Sequence, residues 1–175
     1  MADRLRFYKD PLDTIAYTLN WKNEIGLKTV ISSNWASDPG LAIVAQSNID
    51  QTSSVLVSGG TVGNVVRLTN TVTDSSGLIF VRPIDVVVQN RLSYSEKRTS
   101  ERLTFTVDWS DSTFEIATQT WLPVTGLTLS DQTFSDKSAT VTVEGGTMGI
   151  VYGLRHRVNS VGGQILHKGF SIRII

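Results

Sequence analysis

Gly59-Gly60-Thr61-Val62-Gly63 and Gly145-Gly146-Thr147-Met148-Gly149 are one turn written twice, 86 positions apart. The same offset carries Trp35 onto Trp121, Gly40-Leu41 onto Gly126-Leu127, Leu68 onto Leu154, Val72 onto Val158 and Gly77 onto Gly163. Upstream, Tyr17-Thr18-Leu19-Asn20-Trp21 returns as Phe105-Thr106-Val107-Asp108-Trp109 at an offset of 88, so the copies differ in length by two residues. Self-similarity at one period decides architecture before any local reading. Units of roughly 85 residues are too long for solenoid repeats and suit small independent domains.

Working outward from the turns, strand signals dominate. Leu103, Phe105, Val107 and Trp109 alternate with Thr104, Thr106 and Asp108, placing the apolar set on one face of a half-buried strand. Ile15, Tyr17, Leu19 and Trp21 repeat the pattern, as do Val55 and Val57 against Ala139, Val141 and Val143. Val66, Leu68 and Val72 match Tyr152, Leu154 and Val158; Ile84, Val86 and Val88 close the first unit as Phe170, Ile172 and Ile174 close the second. Turn signals separate the runs at Asp38-Pro39-Gly40, Asp74-Ser75-Ser76-Gly77 and Val161-Gly162-Gly163. No helical period lasts three turns. The chain reads as all-β, in antiparallel sandwiches.

The expected layout is an N-terminal extension over residues 1–8, a sandwich over 9–89, a linker over 90–100 and a second sandwich over 101–175. The strand pattern lapses between Gln89 and Arg102, a Gly- and Pro-free stretch with six charges that reads as a solvated spacer with room for a helical turn. Leu5, Phe7 and Tyr8 sit on the extension, which shows no repeat counterpart. They either cover the first sandwich or dock on a neighbour.

Composition narrows the function classes. Of 175 residues 40% are apolar and 18% charged, which gives enough apolar material for two cores. Lys plus Arg equals Asp plus Glu at 16 each, so no single-sign field recruits nucleic acid or anionic lipid. With no cysteine, disulfides and thiolate metal sites are excluded, and folding in a reducing cytoplasm is expected. Met1-Ala2-Asp3-Arg4-Leu5-Arg6 lacks an apolar core before a cleavage site, so no export leader is expected. No apolar run approaches membrane-spanning length.

Catalytic constellations do not survive inspection. There is no Gly-x-Ser-x-Gly, no Gly-x-x-x-x-Gly-Lys and no His-Glu-x-x-His. His156 shares parity with Leu154 and Val158, and its first-unit counterpart is Asn70, which suits a hydrogen-bonded core group better than a metal ligand. His167 has no second ligand in view. Asp108 and Asp111 flank Trp109, a sugar-site look-alike, yet the first copy has Asn20 and Asn23 there. Trp21, Trp35, Trp109 and Trp121 read as core plugs. Gly59, Gly60, Gly63, Gly145, Gly146 and Gly149 read as positive-φ turns crossing between sheets, since no Lys-Ser/Thr and no helix start follow them. No catalytic residue, cofactor or metal is expected. The basic clusters are Arg4 with Arg6, Lys97 with Arg98, and Arg155 with Arg157 around His156. Arg155 and Arg157 share an outer strand face suited to a protein ion pair. With Leu5, Phe7, Tyr8, Tyr94 and Phe114, which stand outside the paired core runs, they are the candidate interface residues.

The ordered set resembles the tandem immunoglobulin-like fibre–tail adaptor proteins of tailed bacteriophages. Phe105 to Trp109, Thr29 to Trp35, Gly126-Leu127, Gly145 to Gly149 and Tyr152 to Val158 carry the likeness, and Lys9-Asp10-Pro11-Leu12-Asp13 resembles the opening of the family's first unit. Asn20 for Asp and Val66 for Tyr are departures that leave the fold reading intact. The resemblance implies two tandem immunoglobulin-like sandwiches in a non-enzymatic virion component of the neck or tail, made in the host bacterial cytoplasm. Its partners would be connector, tail or fibre proteins, with several copies around a symmetric ring and neither nucleic acid nor membrane. The competing expectation is a carbohydrate- or receptor-binding fibre module, which needs solvent-facing aromatics clustered together.

Overall fold

The structure, a computed structural model, describes residues 5–175, and the chain divides at Asn90/Arg91 into two compact units. Residues 1–4, including the Arg4 of the expected Arg4/Arg6 cluster, lie outside the described residues. The first unit runs β1 (Arg6–Lys9), β2 (Ile15–Asn20), α1 (Lys22–Ile25), β3 (Val30–Ser37), β4 (Ala42–Ile49), β5 (Thr52–Ser58), β6 (Val65–Asp74) and β7 (Ile79–Val88). The second runs β8 (Leu92–Lys97), β9 (Leu103–Asp108), β10 (Ile116–Trp121), β11 (Leu127–Phe134), β12 (Ser138–Gly145), β13 (Val151–Ser160) and β14 (Ile165–Ile174).

Each unit is a seven-stranded immunoglobulin-like sandwich. Four strands in the order β1-β7-β6-β3 face three in the order β2-β5-β4, and β8-β14-β13-β10 with β11-β12-β9 repeat the plan. All pairs are antiparallel except β1 with β7 and β8 with β14, which are parallel. The alternating runs supply both inner faces. Tyr17, Leu19, Val55 and Val57 meet Val66, Leu68, Val72, Ile84 and Val86 in the first core. Phe105, Val107, Val141, Val143, Leu154, Val158 and Ile172 are buried in the second. No helix among the described residues is long and apolar enough to cross a membrane.

Two expectations are corrected. The segment expected as a linker over 90–100 is mostly strand: Leu92–Lys97 pairs with β14 from Gly169↔Leu92 to Ile174↔Lys97. The extension expected to lack a counterpart is that strand's equivalent, since Arg6–Lys9 pairs with Asp85–Val88 in the same parallel sense. Backbone pairing, not apolar alternation, holds both, which is why neither announces itself. The two-residue length difference lies after Trp21: the first unit spends it on α1, whose Ile25 is buried, where the second has the loop between Trp109 and Ile116.

The two lysines ending these strands do a job usually left to apolar residues. Lys9 is 0% exposed, and its Nζ donates to the carbonyls of Asp10 at 2.9 Å and Gly59 at 2.7 Å. Lys97 is 1% exposed and donates to Arg98 O at 2.9 Å and Gly145 O at 2.8 Å. Each clamps its edge strand to the first glycine of a Gly-Gly turn. Burial pulls the Lys9 pKa down, against the raising influence of Asp13 and Asp10. Lys97→Met keeps the stem but strands buried carbonyls, and is expected to destabilise the second unit by about 3 kcal/mol. A shift in that unit's urea midpoint checks it; an unchanged midpoint would show the clamp to be dispensable.

Candidate functional site

All four tryptophans are buried, each at most 3% exposed. Trp21 Nε1 donates to Asn70 Oδ1 at 3.1 Å, and Trp109 Nε1 donates to His156 Nδ1 at 3.1 Å. In the first unit the polar chain continues from Asn70 Nδ2 to Ser33 Oγ at 2.9 Å, to Ser53 Oγ at 2.5 Å, and to Trp35 Nε1, which donates to Ser53 at 2.7 Å. In the second unit Trp121 Nε1 donates instead to Thr140 O at 3.0 Å, and the Trp121 and Phe134 rings close on His156. His156 Nε2 makes no hydrogen bond among the described residues. Burial, with nearby His167, pulls the His156 pKa down to about 4.

Cations lid the outer rim of both cores. The Arg82 guanidinium lies 4.4 Å from the Trp21 ring centroid, and the Lys168 ammonium 4.7 Å from that of Trp109. Lys168 also bonds Asp111 Oδ1 at 3.1 Å and Asp108 O at 2.6 Å. Asp108 accepts from Ser110 N and Ser110 Oγ, which lowers its pKa. The carboxylate pair flanking Trp109 is thus engaged in turn-capping and an ion pair, and the indole between them is core. No group of metal-ligating side chains occurs among the described residues.

The six turn glycines all have positive φ, and each Gly-Gly pair carries the chain from the three-stranded to the four-stranded sheet. Gly60 and Gly146 are also sterically fixed: a Cβ would lie 2.8 Å from Val88 Cγ2 and 2.7 Å from Ile174 Cδ1.

The candidate interface residues separate. Phe7 packs against the first core with its ring 5.0 Å from Tyr17, and half-buried Phe114 sets its edge on Trp109 beside the Lys137 ammonium. Leu5 and Tyr8 are exposed on the first unit. Tyr94, Arg155 and Arg157 lie on the outward face of the second unit's four-stranded sheet. Register aligns Leu92, Gly169 and Arg155 in one row, Tyr94, Ser171 and Gly153 in the next, and Glu96, Arg173 and Val151 in a third. Arg157 pairs with Thr120 and His167 on the same outward face. Tyr94 is exposed and donates to Glu96 Oε1 at 2.7 Å, which raises its pKa. Gly169 must stay bare, because a Cβ there would lie 2.0 Å from Leu154 O. Gly153 is exposed beside Leu92, whereas Gly169 is buried in the row of half-buried Arg155. An exposed tyrosine and arginines on one sheet face suit protein recognition. The sequence contains these residues, but only the parallel pairing of β8 puts Tyr94 on the same sheet face as the arginines.

The sequence matches the family Gp77, described as podophage GP4 fiber-tail adaptor protein gp77, over residues 9–87 and again over residues 97–173. The chain belongs to this family. Each sandwich is one copy of the adaptor repeat. No curated protein is significantly similar in sequence. Among solved structures, the titin domains Z1Z2 in complex with telethonin align over 99% of this chain and 94% of theirs, at 11% identity and a TM-score of 0.34. The titin tandem A164-A165 aligns over 99% and 96%, at 10% identity and a TM-score of 0.32. The adaptor's own topology defines its fold as immunoglobulin-like.

Proposed function

We propose that this podophage adaptor works as a non-enzymatic joint in the virion, fastening fibre to tail, with the outward face of β8-β14-β13-β10 as one docking face. The family match to both sandwiches carries the reading. Balanced charge supports protein partners over nucleic acid or membrane, and the cysteine-free sequence suits a protein made in the host cytoplasm and then assembled. Copies set around a symmetric tail would multiply individually weak contacts into durable attachment. The fibre-tip glycan module is not favoured: the indoles that would serve as sugar platforms are buried.

Cryo-electron microscopy of the intact particle tests this reading. Paired sandwich density between tail and fibre is expected, and absence from every assembled particle would overturn it. Arg157→Glu combined with Tyr94→Ala alters the docking face at outward positions. It is expected to leave melting nearly unchanged and to cut fibre retention by about tenfold. Full retention would move the docking face elsewhere.

A further inference from the structure

We infer that the free edge of β10 receives an extended segment of a neighbouring virion protein, adding a strand to the second unit's four-stranded sheet. The inference rests on the adaptor reading and specifies where and how one partner binds.

β3 and β10 are equivalent edge strands of their sheets. In the first unit this edge is clasped at both ends by the opposite sheet. Val30 N donates to Asp50 O at 2.6 Å, Asn48 Nδ2 donates to Val30 O at 3.0 Å, and Trp35 N donates to Gln46 Oε1 at 2.8 Å. The corresponding residues of the second unit, 86 positions on, are Ile116, Trp121, Gln132, Phe134 and Asp136. None of the three bonds recurs among the described residues. Phe134 cannot donate, and its ring is turned onto His156 instead.

The edge so released has direction and chemistry. Leu122 N donates to Arg155 O and Glu115 O accepts from Val161 N, which marks the β10 positions that face β13. Alternation then points the Gln119 and Trp121 amides outward, and the irregularity between Ile116 and Thr118 turns Ile116 the same way. A cleft of about 450 Å³ runs beside Ile116 and Gln119, lined by Glu115–Gln119 with Asp136 and Lys137. Within it Gln119 Oε1 is buried without a hydrogen-bond partner, while its Nε2 is held by Ser135 O. The Lys137 ammonium is directed to Ser112 O and Phe114 O and makes no ion pair with Glu115 or Asp136, so the two carboxylates and this one cation leave the cleft with a formal charge of −1. An unpaired edge, an orphaned acceptor and two carboxylates fit an extended segment that brings backbone amides and a Lys or Arg.

The experiment is amide hydrogen exchange on the adaptor, free and within assembled particles. Ile116, Gln119 and Trp121 are expected to exchange at least about tenfold more slowly in the particle, with Ser33 of the first unit unchanged. Gln119→Pro removes one outward N–H at a position where an edge strand tolerates proline, and is expected to abolish incorporation while the fold persists. Should that variant fail to fold, Glu115→Lys with Asp136→Lys, both on exposed side chains, is expected to do the same. Equal exchange in free and assembled wild type, with the adaptor present, overturns the edge inference and leaves the adaptor reading standing. Absence of the wild type from particles removes both. Protection that grows with the concentration of the isolated chain makes the occupant a second copy, and overturns the inference.

Discussion

Trp109→Ala and Trp121→Ala are each expected to destabilise the second unit by about 3–5 kcal/mol, enough to unfold it at moderate temperature while the first unit keeps its transition. Both side chains are at most 3% exposed, so truncation leaves a void between two sheets whose strands are fixed by their own ladders and cannot close over it. Each change also breaks a buried hydrogen bond. Without Trp109, His156 Nδ1 loses its indole donor beside an Nε2 that has no partner among the described residues. Without Trp121, Thr140 O loses the indole and His156 loses the ring 4.9 Å away. Differential scanning calorimetry separates the two units; a second-unit melting temperature within a degree of wild type would show that these indoles do not support the core.

Acid is expected to weaken the second unit specifically, through His156. The ring is fully buried, accepts from Trp109, packs among Trp109, Trp121 and Phe134, and has His167 as its neighbouring titratable group. Its folded pKa is about 4, below the usual 6.5 of an exposed histidine. Below 6.5 the unfolded chain therefore binds a proton that the folded unit refuses. Stability is intact above about 6.5, falls as the pH drops towards 4, and levels off below that, with up to about 3 kcal/mol lost. His156→Asn installs the residue that the first unit uses at Asn70 and should flatten this slope. The check is the difference in unfolding free energy between variant and wild type at pH 7, 5.5 and 4.5. A difference independent of pH would exclude His156 as the titrating group. In the first unit the matching acid event is later, because bonds from Ser76 hold the Asp74 carboxyl down at about 2.

Much of the fold was legible because duplication and alternation record burial. β2 and β9 bury every second residue, so Tyr17, Leu19, Phe105 and Val107 carried their facing in the sequence. The Asn70/His156 equivalence was legible by parity, and each does accept from an indole of its core. β4 was not legible: nearly all of Ala42–Ile49 is exposed, so no alternation marks it. β8 was misread as linker for a related reason. Its one buried side chain is Lys97, a charge satisfied by the carbonyl of the next residue, Arg98, and by that of Gly145, far away in sequence. Position by position, Arg6–Lys9 and Leu92–Lys97 share only that lysine, so the repeat fell silent where the pairing is purely backbone.

An all-β, twice-written architecture and its core indoles are readable from the residues, because side-chain burial leaves a period of two and duplication preserves it. Which backbone groups are used up depends on the packed fold. Strand β8 pairs with residues more than seventy positions away, and the β3 edge is clasped by Asn48 and Gln46 where the β10 edge stays open. Backbone amides are the same at every position, so whether one is paired or free is settled by what packs against it.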